Sequence, residues 1–437
     1  MVPCYCTSKA APRKISSQFK SNKNGEVKER KFDGDFNRRV INPMPINQLS
    51  HPLFKSDQRI EMRVPMFRPE ALTEAAVGTV MQFPLSQDDT IKAYGVPTNV
   101  LMDFRVLSKP CSVIRDVTLS LIDTLDTANQ KSSKDTRLVL TGSAGCGKSF
   151  LMLQAVEYCS ASNWITLYVP RGITTVDSSS HYVYDPQTRT YLQPEYSYQL
   201  LRRFLSVNSR QLAELSTRKG FSVDDLSVPA ESPLTDLIQV GLDDERLAPA
   251  ILSRVLEEVS QQNTFPVLMA VDDIQAVYRT SLYRDPHYRP ILSQYLSVPR
   301  LILEYACGSK FFTRGAFLGA VSTANTRFKM PIELSEALGL PLPRPAGPYY
   351  HRSSELEHYA GGLRNFPVPE QLNVGEAASL FEVWMADKAL HSGEVRTLDN
   401  EQVYKPTDEL FMSKFCEASG NPRSFVWNGL MATMNSL

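Results

Sequence analysis

The sequence predicts an α/β fold built on a mostly parallel sheet that helices cover. Three short apolar runs, residues 137–141, 164–169 and 265–271, have the length and composition of buried strands. Glycine, proline or aspartate follows each run, and stretches with helical spacing of apolar residues lie between them. Strands that alternate with helices along a chain form parallel sheets, so this order of elements favours the α/β class.

The chain divides into four predicted regions. Residues 1–40 are polar and residues 41–65 contain four prolines, so both suit an extended arm better than a helix. Ile114–Ala128 has apolar residues spaced for one face of a helix. We therefore expect a basic extended arm at 1–65, a helical segment that packs on the core at 66–135, the α/β domain at 136–335 and a helical domain at 336–437.

Further elements follow the predicted strands in order. Helices are expected at Ser149–Cys159 and around 197–206, whereas the short apolar runs Leu301–Tyr305 and Phe317–Val321 predict strands. Three helices are predicted in the C-terminal region, at 374–390, 407–419 and 424–434. The middle one has Thr407 as its expected N-cap, because threonine is favoured at that position.

The net charge is zero, but the charges are unevenly placed. The 437 residues include 47 basic and 47 acidic side chains, and 42% are hydrophobic, which is typical of globular proteins and excludes wholesale disorder. Residues 1–40 carry ten basic and four acidic residues, a net of +6, so the remainder carries −6, and residues 221–260 alone carry −7. A nucleic-acid partner is therefore not excluded, because the basic arm and local basic patches can contact phosphates.

The N-terminus and the cysteines bear on the compartment. The first 25 residues are basic, contain serines and lack acids, which fits either an organelle transit peptide or a disordered basic tail. Seven scattered cysteines predict reduced thiols in an intracellular compartment, and Cys4 and Cys6 lack a second pair at zinc-site spacing. No apolar run reaches the roughly 18 residues that a membrane span needs.

One motif of clear chemical meaning follows the first predicted strand. It is Gly142-Ser143-Ala144-Gly145-Cys146-Gly147-Lys148-Ser149, followed by Phe150, and it fits G-x-x-x-x-G-K-[ST]. Glycines let the backbone N–H groups point at one anion, Lys148 can reach the β- and γ-phosphates, and the Ser149 hydroxyl can ligate Mg²⁺. We therefore predict a nucleotide and Mg²⁺ site here. The alternative is a glycine-rich turn with an exposed lysine.

A nucleotide site of this type needs an acid for the water shell of Mg²⁺. Asp272 stands at the carboxyl end of the third predicted strand, where such a ligand is expected. Asp273 follows it and either polarises an attacking water or caps the next helix. Asn325, beyond another predicted strand, either reaches the γ-phosphate or belongs to a turn. Arg423 either reaches the nucleotide from a C-terminal helical lid or lies in a plain cap.

The base that this site prefers is left open. Many GTPases read guanine with an Asn-Lys-x-Asp loop, and the sequence contains none. The residues alone therefore predict a purine nucleoside triphosphate or diphosphate, with both GTP and ATP possible as ligands.

These residues resemble the death-associated-protein-three family, the nucleotide-binding proteins of the mitochondrial small ribosomal subunit. The similarity runs from about residue 80 to the C-terminus and is carried by Leu138–Gly142, Gly147–Ser149, Tyr168–Pro170, Tyr191–Pro194, Val271–Gln275 and Gly420–Arg423. Many families share the phosphate loop. The segment that ends in Gln193-Pro194 and the long spacer between the loop and Asp272 are more specific.

The resemblance implies an AAA-like P-loop fold, a mitochondrial matrix location and a place in the head of the small subunit, in contact with its RNA and neighbouring proteins. It also implies GTP or GDP binding through Gly145, Gly147, Lys148, Ser149 and Asp272, without a clear role for hydrolysis. Two hypotheses follow. The chain is either a structural ribosomal protein stabilised by bound nucleotide, or an NTPase that cycles between states.

Overall fold

Five parallel strands form a central sheet, and the described residues also include two-stranded antiparallel sheets. The computed structural model describes residues 63–84, 90–223, 226–323, 325–342, 347, 350–387, 389–390, 395–398, 401–404 and 407–436. The strands are β1 Val80–Gln82, β2 Cys111–Val113, β3 Arg137–Thr141, β4 Ile165–Val169, β5 Val183–Asp185, β6 Thr190–Leu192, β7 Phe221–Val223, β8 Leu226–Val228, β9 Val267–Val271, β10 Thr280–Arg284, β11 Pro290–Leu292, β12 Gly315–Ala320, β13 Arg364–Pro367, β14 Val395–Leu398 and β15 Glu401–Tyr404. The central sheet has the order β13-β3-β12-β9-β4.

The register of the central sheet brings the carboxyl ends of three strands to one edge. Leu140 of β3 lies beside Ala320 of β12, and Gly319 lies beside Val271 of β9. The loops that follow these strands therefore emerge close together, where ligands bind in open α/β sheets. At the other end of β12, Gly315 has φ +132°, and a Cβ there would collide with the Val267 carbonyl oxygen, so only glycine fits this close approach.

Helices cover the sheet. They are α1 Thr90–Tyr94, α2 Thr98–Val106, α3 Asp116–Ala128, α4 Lys148–Ala161, α5 Pro194–Ala213, α6 Leu234–Asp243, α7 Ala248–Gln261, α8 Ser297–Ala306, α9 Ile332–Ala337, α10 Ser354–Ala360, α11 Val374–Ala386, α12 Asp408–Glu417 and α13 Pro422–Ser424. The chain continues from α13 as a π-helical turn, Phe425–Leu430. α4 contacts α3 as well as β4, β9 and β12, and most of its residues are buried, so its position against the sheet is fixed by packing.

The C-terminal helices have an apolar cluster of their own. Phe381 and Trp384 of α11 pack with Phe425 of the π-helical turn, and Leu107, which follows α2, joins the same cluster. The larger cluster contains the central sheet and helices α3 to α8. Hydrophobic contacts thus join the segment before the sheet to the C-terminal region.

The α/β class with a parallel sheet is confirmed, and β3 has the predicted bounds. The strand predicted at Leu301–Tyr305 is wrong, because these residues lie in α8 with Val298, Leu301, Ile302 and Tyr305 buried at helical spacing. A five-residue apolar run cannot separate a strand from part of a buried helix. β13 was missed, since Arg364–Pro367 has one apolar residue besides its proline and lies in a region where helices were predicted.

Several predictions lie outside what the structure tests. Residues 1–62, most of the predicted basic arm, are outside the described residues, and the four-region division stays a prediction. In the described part of the chain, no helix combines the length and the hydropathy that crossing a membrane requires. The described cysteines, at positions 111, 146, 159, 307 and 416, are free thiols, as expected for reduced cysteines.

Candidate functional site

The glycine-rich loop, residues 142–149, curls tightly between β3 and α4. Gly142, Gly145 and Gly147 have φ values of +143°, +84° and +99°, which residues with a side chain rarely adopt. A Cβ at Gly142 would lie 2.9 Å from the Val368 carbonyl oxygen, and one at Gly145 would lie 2.7 Å from Asn421 Oδ1. The loop therefore needs glycine for its conformation and for the close approach of the C-terminal region.

Lys148 folds back over this loop as the first residue of α4. Its Nζ donates hydrogen bonds to the carbonyl oxygens of Gly142, at 2.9 Å, and Ser143, at 2.7 Å, and the residue is 8% exposed. Gly147 occupies the N-cap position and offers no side-chain acceptor. The first N–H groups of α4 and the positive end of its dipole therefore lie at the loop beside a cation, an arrangement that suits a phosphate group.

Asp272 follows β9 and lies beside the loop, as the sequence predicted. It is buried, and its carboxyl bonds to the Ser149 hydroxyl and accepts the Asp273 N–H at 2.8 Å. Burial raises the pKa of the Asp272 carboxyl, the Asp273 charge raises it further, and Ser149 and Lys148 oppose the rise. Magnesium prefers oxygen ligands, directly or through water, so Ser149 and Asp272 together fit a metal site.

Asp273 has a left-handed backbone, with φ 56° and ψ 36°, and begins the 3₁₀ helix Ile274–Tyr278. Burial raises the pKa of its carboxyl, whereas a hydrogen bond with Ser322 and the charge of Arg171 lower it. Gln275 Oε1 accepts the Ser322 N–H at 3.0 Å. The residues that follow β9 and β12 are thus bonded to one another at the edge where the glycine-rich loop begins.

Asn325 lies in the segment after β12, and two buried polar side chains lie in β4 and after β9. Asn325 Oδ1 accepts the Arg327 N–H at 2.9 Å, so it holds a turn after β12. Tyr168 Oη and Gln275 Nε2 are buried and have no hydrogen-bond partner among the described residues. Sequence reasoning missed both, because Tyr168 lies within an apolar strand and Gln275 lies in a short 3₁₀ helix.

The start of α13 rests on the glycine-rich loop. Asn421 Nδ2 donates to the Ala144 carbonyl oxygen at 3.1 Å, and the Arg423 N–H donates to the Gly145 carbonyl oxygen at 3.1 Å. The Arg423 guanidinium lies over the Trp427 ring, 5.2 Å from its centroid, at a distance where cation–π attraction is effective. The structure therefore places the backbone of Arg423 against the loop and its guanidinium on an aromatic ring, and contact with a nucleotide stays a prediction.

Arg115, at the N-cap of α3, joins three parts of the chain and was missed by sequence reasoning. Its guanidinium donates to the carbonyl oxygens of Cys146, at 3.1 Å, and Gln371, at 2.7 Å. It also forms an ion pair with Glu376 at 3.4 Å, in which the two side chains are 11% and 5% exposed. One cation thus connects α3, the glycine-rich loop and the first turn of α11.

A cavity of about 180 Å³ opens beside the loop. Its walls come from α2, the start of α4 and the C-terminal region, and include Phe104, Phe150, Trp384 and Trp427. Asp103 also lines it, and its Oδ1 accepts the Trp427 Nε1–H at 2.8 Å. Burial raises the pKa of Asp103 to about 6, against the opposing effects of Trp427 and Arg423. An apolar cavity with one carboxyl and an adjoining phosphate-type loop can hold an aromatic base.

The Arg115–Glu376 ion pair makes a stability prediction. Arg115→Ala leaves the Glu376 carboxylate buried without its cation, so we expect the free energy of unfolding to fall by about 3–5 kcal/mol. Urea denaturation followed by circular dichroism measures this loss. Glu376→Gln is the matched change, because it keeps an acceptor for the Asn373 N–H and removes the charge. The double variant with Arg115→Ala and Glu376→Gln should lose clearly less free energy of unfolding than Arg115→Ala alone. An equal loss would contradict the argument that the unpaired Glu376 charge destabilises the fold.

Comparisons with known proteins agree on one family. The family model described as mitochondrial ribosomal death-associated protein 3 matches residues 112–427. The small ribosomal subunit protein mS29 of Neurospora crassa is 26% identical over 267 residues, which is 60% of this chain and 56% of that protein. The mS29 proteins of Schizosaccharomyces pombe and Mus musculus are each 25% identical, over 60% and 48% of this chain and 56% and 54% of their own lengths.

The matched region contains the glycine-rich loop, the acid pair and the segment around Arg423. The chain spans about half the length of the curated relatives that it matches. The family model itself covers well over half of the present chain, from before α3 to the π-helical turn. The chain belongs to the mitochondrial ribosomal death-associated protein 3 family.

Proposed function

We propose that this chain is a structural component of the mitochondrial small ribosomal subunit and binds a purine nucleotide, GTP or GDP with Mg²⁺, through the glycine-rich loop. Family membership supports the ribosomal part, since the curated relatives are named small ribosomal subunit proteins. A matrix location and contacts with the subunit RNA and neighbouring proteins belong to the same proposal. The basic N-terminal residues would serve targeting, RNA contact or both.

One observation supports the nucleotide part of the proposal. Lys148, the N-terminus of α4 and the Ser149–Asp272 pair all lie at the same place. The lysine and the helix N-terminus suit phosphates, and the hydroxyl and carboxyl suit Mg²⁺. β12 lies between the strand that leads to the loop and the strand that leads to Asp272. This order fits an AAA-like P-loop domain, with the C-terminal helices as its lid.

Asp103 in the adjoining cavity favours guanine as the base. Guanine presents two neighbouring N–H donors on its Watson–Crick edge, whereas adenine presents a ring acceptor there. An ionised carboxylate accepts both donors of guanine and is repelled by the ring acceptor of adenine. The Phe150 and Trp427 rings provide flat apolar surfaces for the base. This carboxylate would replace the Asn-Lys-x-Asp loop that the sequence lacks.

A bound nucleotide would act as part of the fold. The cavity has walls from the segment before the sheet, the loop and the C-terminal region, so one ligand contacts all three. A ligand that binds only the folded chain adds RT ln(1 + [L]/Kd), about 2.7 kcal/mol at one hundred times Kd. This contribution needs no hydrolysis, which is why we propose a structural role rather than a catalytic cycle.

Replacement of Lys148 tests the nucleotide site. Lys148→Ala removes a charged hydrogen-bond donor worth about 1.5–3 kcal/mol, so affinity for Mg²⁺–GTP should fall roughly ten- to hundredfold. Titration of a fluorescent GTP analogue measures the loss, with circular dichroism to check the fold. Lys92→Ala, on the exposed side of α1, is the matched control. Unchanged binding by Lys148→Ala would place the nucleotide elsewhere.

The same preparations separate the structural role from catalysis. Incubation with labelled GTP and ATP should show nucleotide retained in stoichiometric amounts without sustained release of phosphate. Sustained hydrolysis that disappears in Asp273→Asn, with binding retained, would favour the alternative of an active NTPase instead.

The proposed role of Asp103 predicts that the preference for GTP over ATP depends on pH. Its carboxyl is ionised above a pKa of about 6, so the preference for GTP over ATP should be full near pH 8 and should fall as the pH drops through 6. Asp103→Asn should lose most of the preference at pH 8 and flatten this profile. Asp123→Asn, exposed on α3, is the control. A preference that Asp103→Asn leaves intact contradicts guanine recognition by this residue.

Sedimentation tests the ribosomal assignment. When a tagged chain is expressed in cells of its source organism, it should sediment from mitochondrial extracts with the small subunit and its RNA. Chelation of Mg²⁺ to separate the subunits should leave it with the small one. A chain found only in light fractions of the cytosol would contradict the proposal. Deletion of residues 1–40 should weaken the association and its salt dependence if the arm contacts RNA.

A further inference from the structure

Two β-hairpins beside the carboxyl edge of the sheet expose aromatic side chains to solvent. The first hairpin joins β5 to β6 and the second joins β10 to β11. Tyr184 of the first is 50% exposed, and Tyr288, at the tip of the second, is 81% exposed. We call five exposed residues of these hairpins the hairpin surface: Tyr184, Arg189, Arg284, Tyr288 and Arg289.

A ladder of tyrosine rings joins the two hairpins into one surface. Tyr184 contacts Tyr191 with ring centroids 5.1 Å apart, Tyr191 contacts Tyr182 at 5.3 Å, and Tyr182 contacts Tyr283 at 5.8 Å. The Tyr182 hydroxyl also donates to the Arg284 carbonyl oxygen at 2.7 Å. These contacts hold the rings of both hairpins in fixed positions.

The tip of the second hairpin holds Tyr288 in one conformation. Asp285 Oδ1 accepts the N–H groups of His287, at 2.9 Å, and Arg289, at 2.7 Å. The Arg284 guanidinium donates to the Tyr288 carbonyl oxygen at 2.8 Å, and Tyr288 has φ +62°. A bulky residue with positive φ, held by its neighbours, is a feature found at binding sites. Because the backbone of Tyr288 is held before binding, covering its ring costs the entropy of the side chain and little of the backbone.

The charge of the hairpin surface is positive. Residues 181–192 and 279–292 together hold four arginines and two aspartates, a net charge of +2, and the two carboxylates accept N–H groups of their own turns. The guanidinium groups of Arg189 and Arg289 form no hydrogen bond or ion pair with other described residues. Tyrosine and arginine are also enriched in protein–protein interfaces, so it is the net positive charge of the hairpins that favours a polyanionic partner.

We propose that the hairpin surface binds single-stranded RNA, with Tyr184 and Tyr288 stacking on bases and Arg189 and Arg289 contacting phosphates. Exposed tyrosines and arginines are the side chains on which unpaired bases stack, and the phosphate chain complements the positive charge. The inference depends on the proposed function only for the source of the RNA, which would be an unpaired segment of the small-subunit RNA.

Fluorescence anisotropy with the purified full chain and a labelled oligouridylate tests this proposal. Tyr184→Ala and Tyr288→Ala should each weaken binding about tenfold, as for loss of one base stack. Tyr288→Phe should bind like the unchanged chain, because it keeps the ring. Arg289→Gln should lower the slope of log affinity against log salt by about 0.7. Phe311→Ala is the control, since this exposed ring precedes β12 at the opposite edge of the sheet.

Three results would overturn the inference: no RNA binding by the unchanged chain, RNA binding by both alanine variants as tight as that of the unchanged chain, or loss of a partner protein by Tyr288→Ala while it keeps RNA binding. The ribosomal and nucleotide proposals fail on different readouts. A chain that binds the oligouridylate through these tyrosines but never sediments with the small subunit keeps the RNA surface and loses the ribosomal assignment. A chain that sediments with the small subunit, but whose RNA binding is unchanged by these substitutions, keeps the ribosomal assignment and loses the RNA surface.

Discussion

The guanidinium of Arg115 is the contact on which the rest of the site depends. It bonds to the glycine-rich loop at Cys146 and, across 256 residues of sequence, to Gln371 near the start of α11. A planar group with several N–H donors can hold acceptors in fixed directions, which the single ammonium of lysine cannot. Since Glu376 also caps α11, the ion pair fixes the helix that carries Trp384 to the wall of the cavity.

Electrostatics within the site favour a metal–nucleotide complex over either component alone. Lys148 donates to carbonyl oxygens of its own loop, and two neighbouring carboxyls, Asp272 and Asp273, both have raised pKa values. The first N–H groups of α4 suit an anion, while Lys148 and Arg171 only partly offset the burial that raises the pKa values of the acid pair. Magnesium bound to phosphates would supply both charges at once, which is why the proposed ligand includes the metal.

Local features were predictable and long-range ones were not. The bounds of β3, the loop 142–149 and the place of Asp272 follow from short patterns, because strand, turn and helix N-terminus are each encoded by neighbouring residues. Arg115 and Asp103 gave no such signal, since their partners lie hundreds of residues away. β13 was missed for the same reason. It is a strand because it pairs with β3, and its own residues carry little strand character.

The close packing of the loop against the C-terminal region bears on the choice between a structural nucleotide and a cycling one. A Cβ at Gly145 would lie 2.7 Å from that of Arg423, and both Asn421 and Arg423 bond to loop carbonyl oxygens. Any movement of the loop must therefore displace the start of α13 and the Trp427 ring beneath the Arg423 guanidinium. Such a shift would disturb the apolar cluster around Phe425. A ligand that stays bound avoids that disturbance, whereas one that is hydrolysed and exchanged would impose it in every cycle.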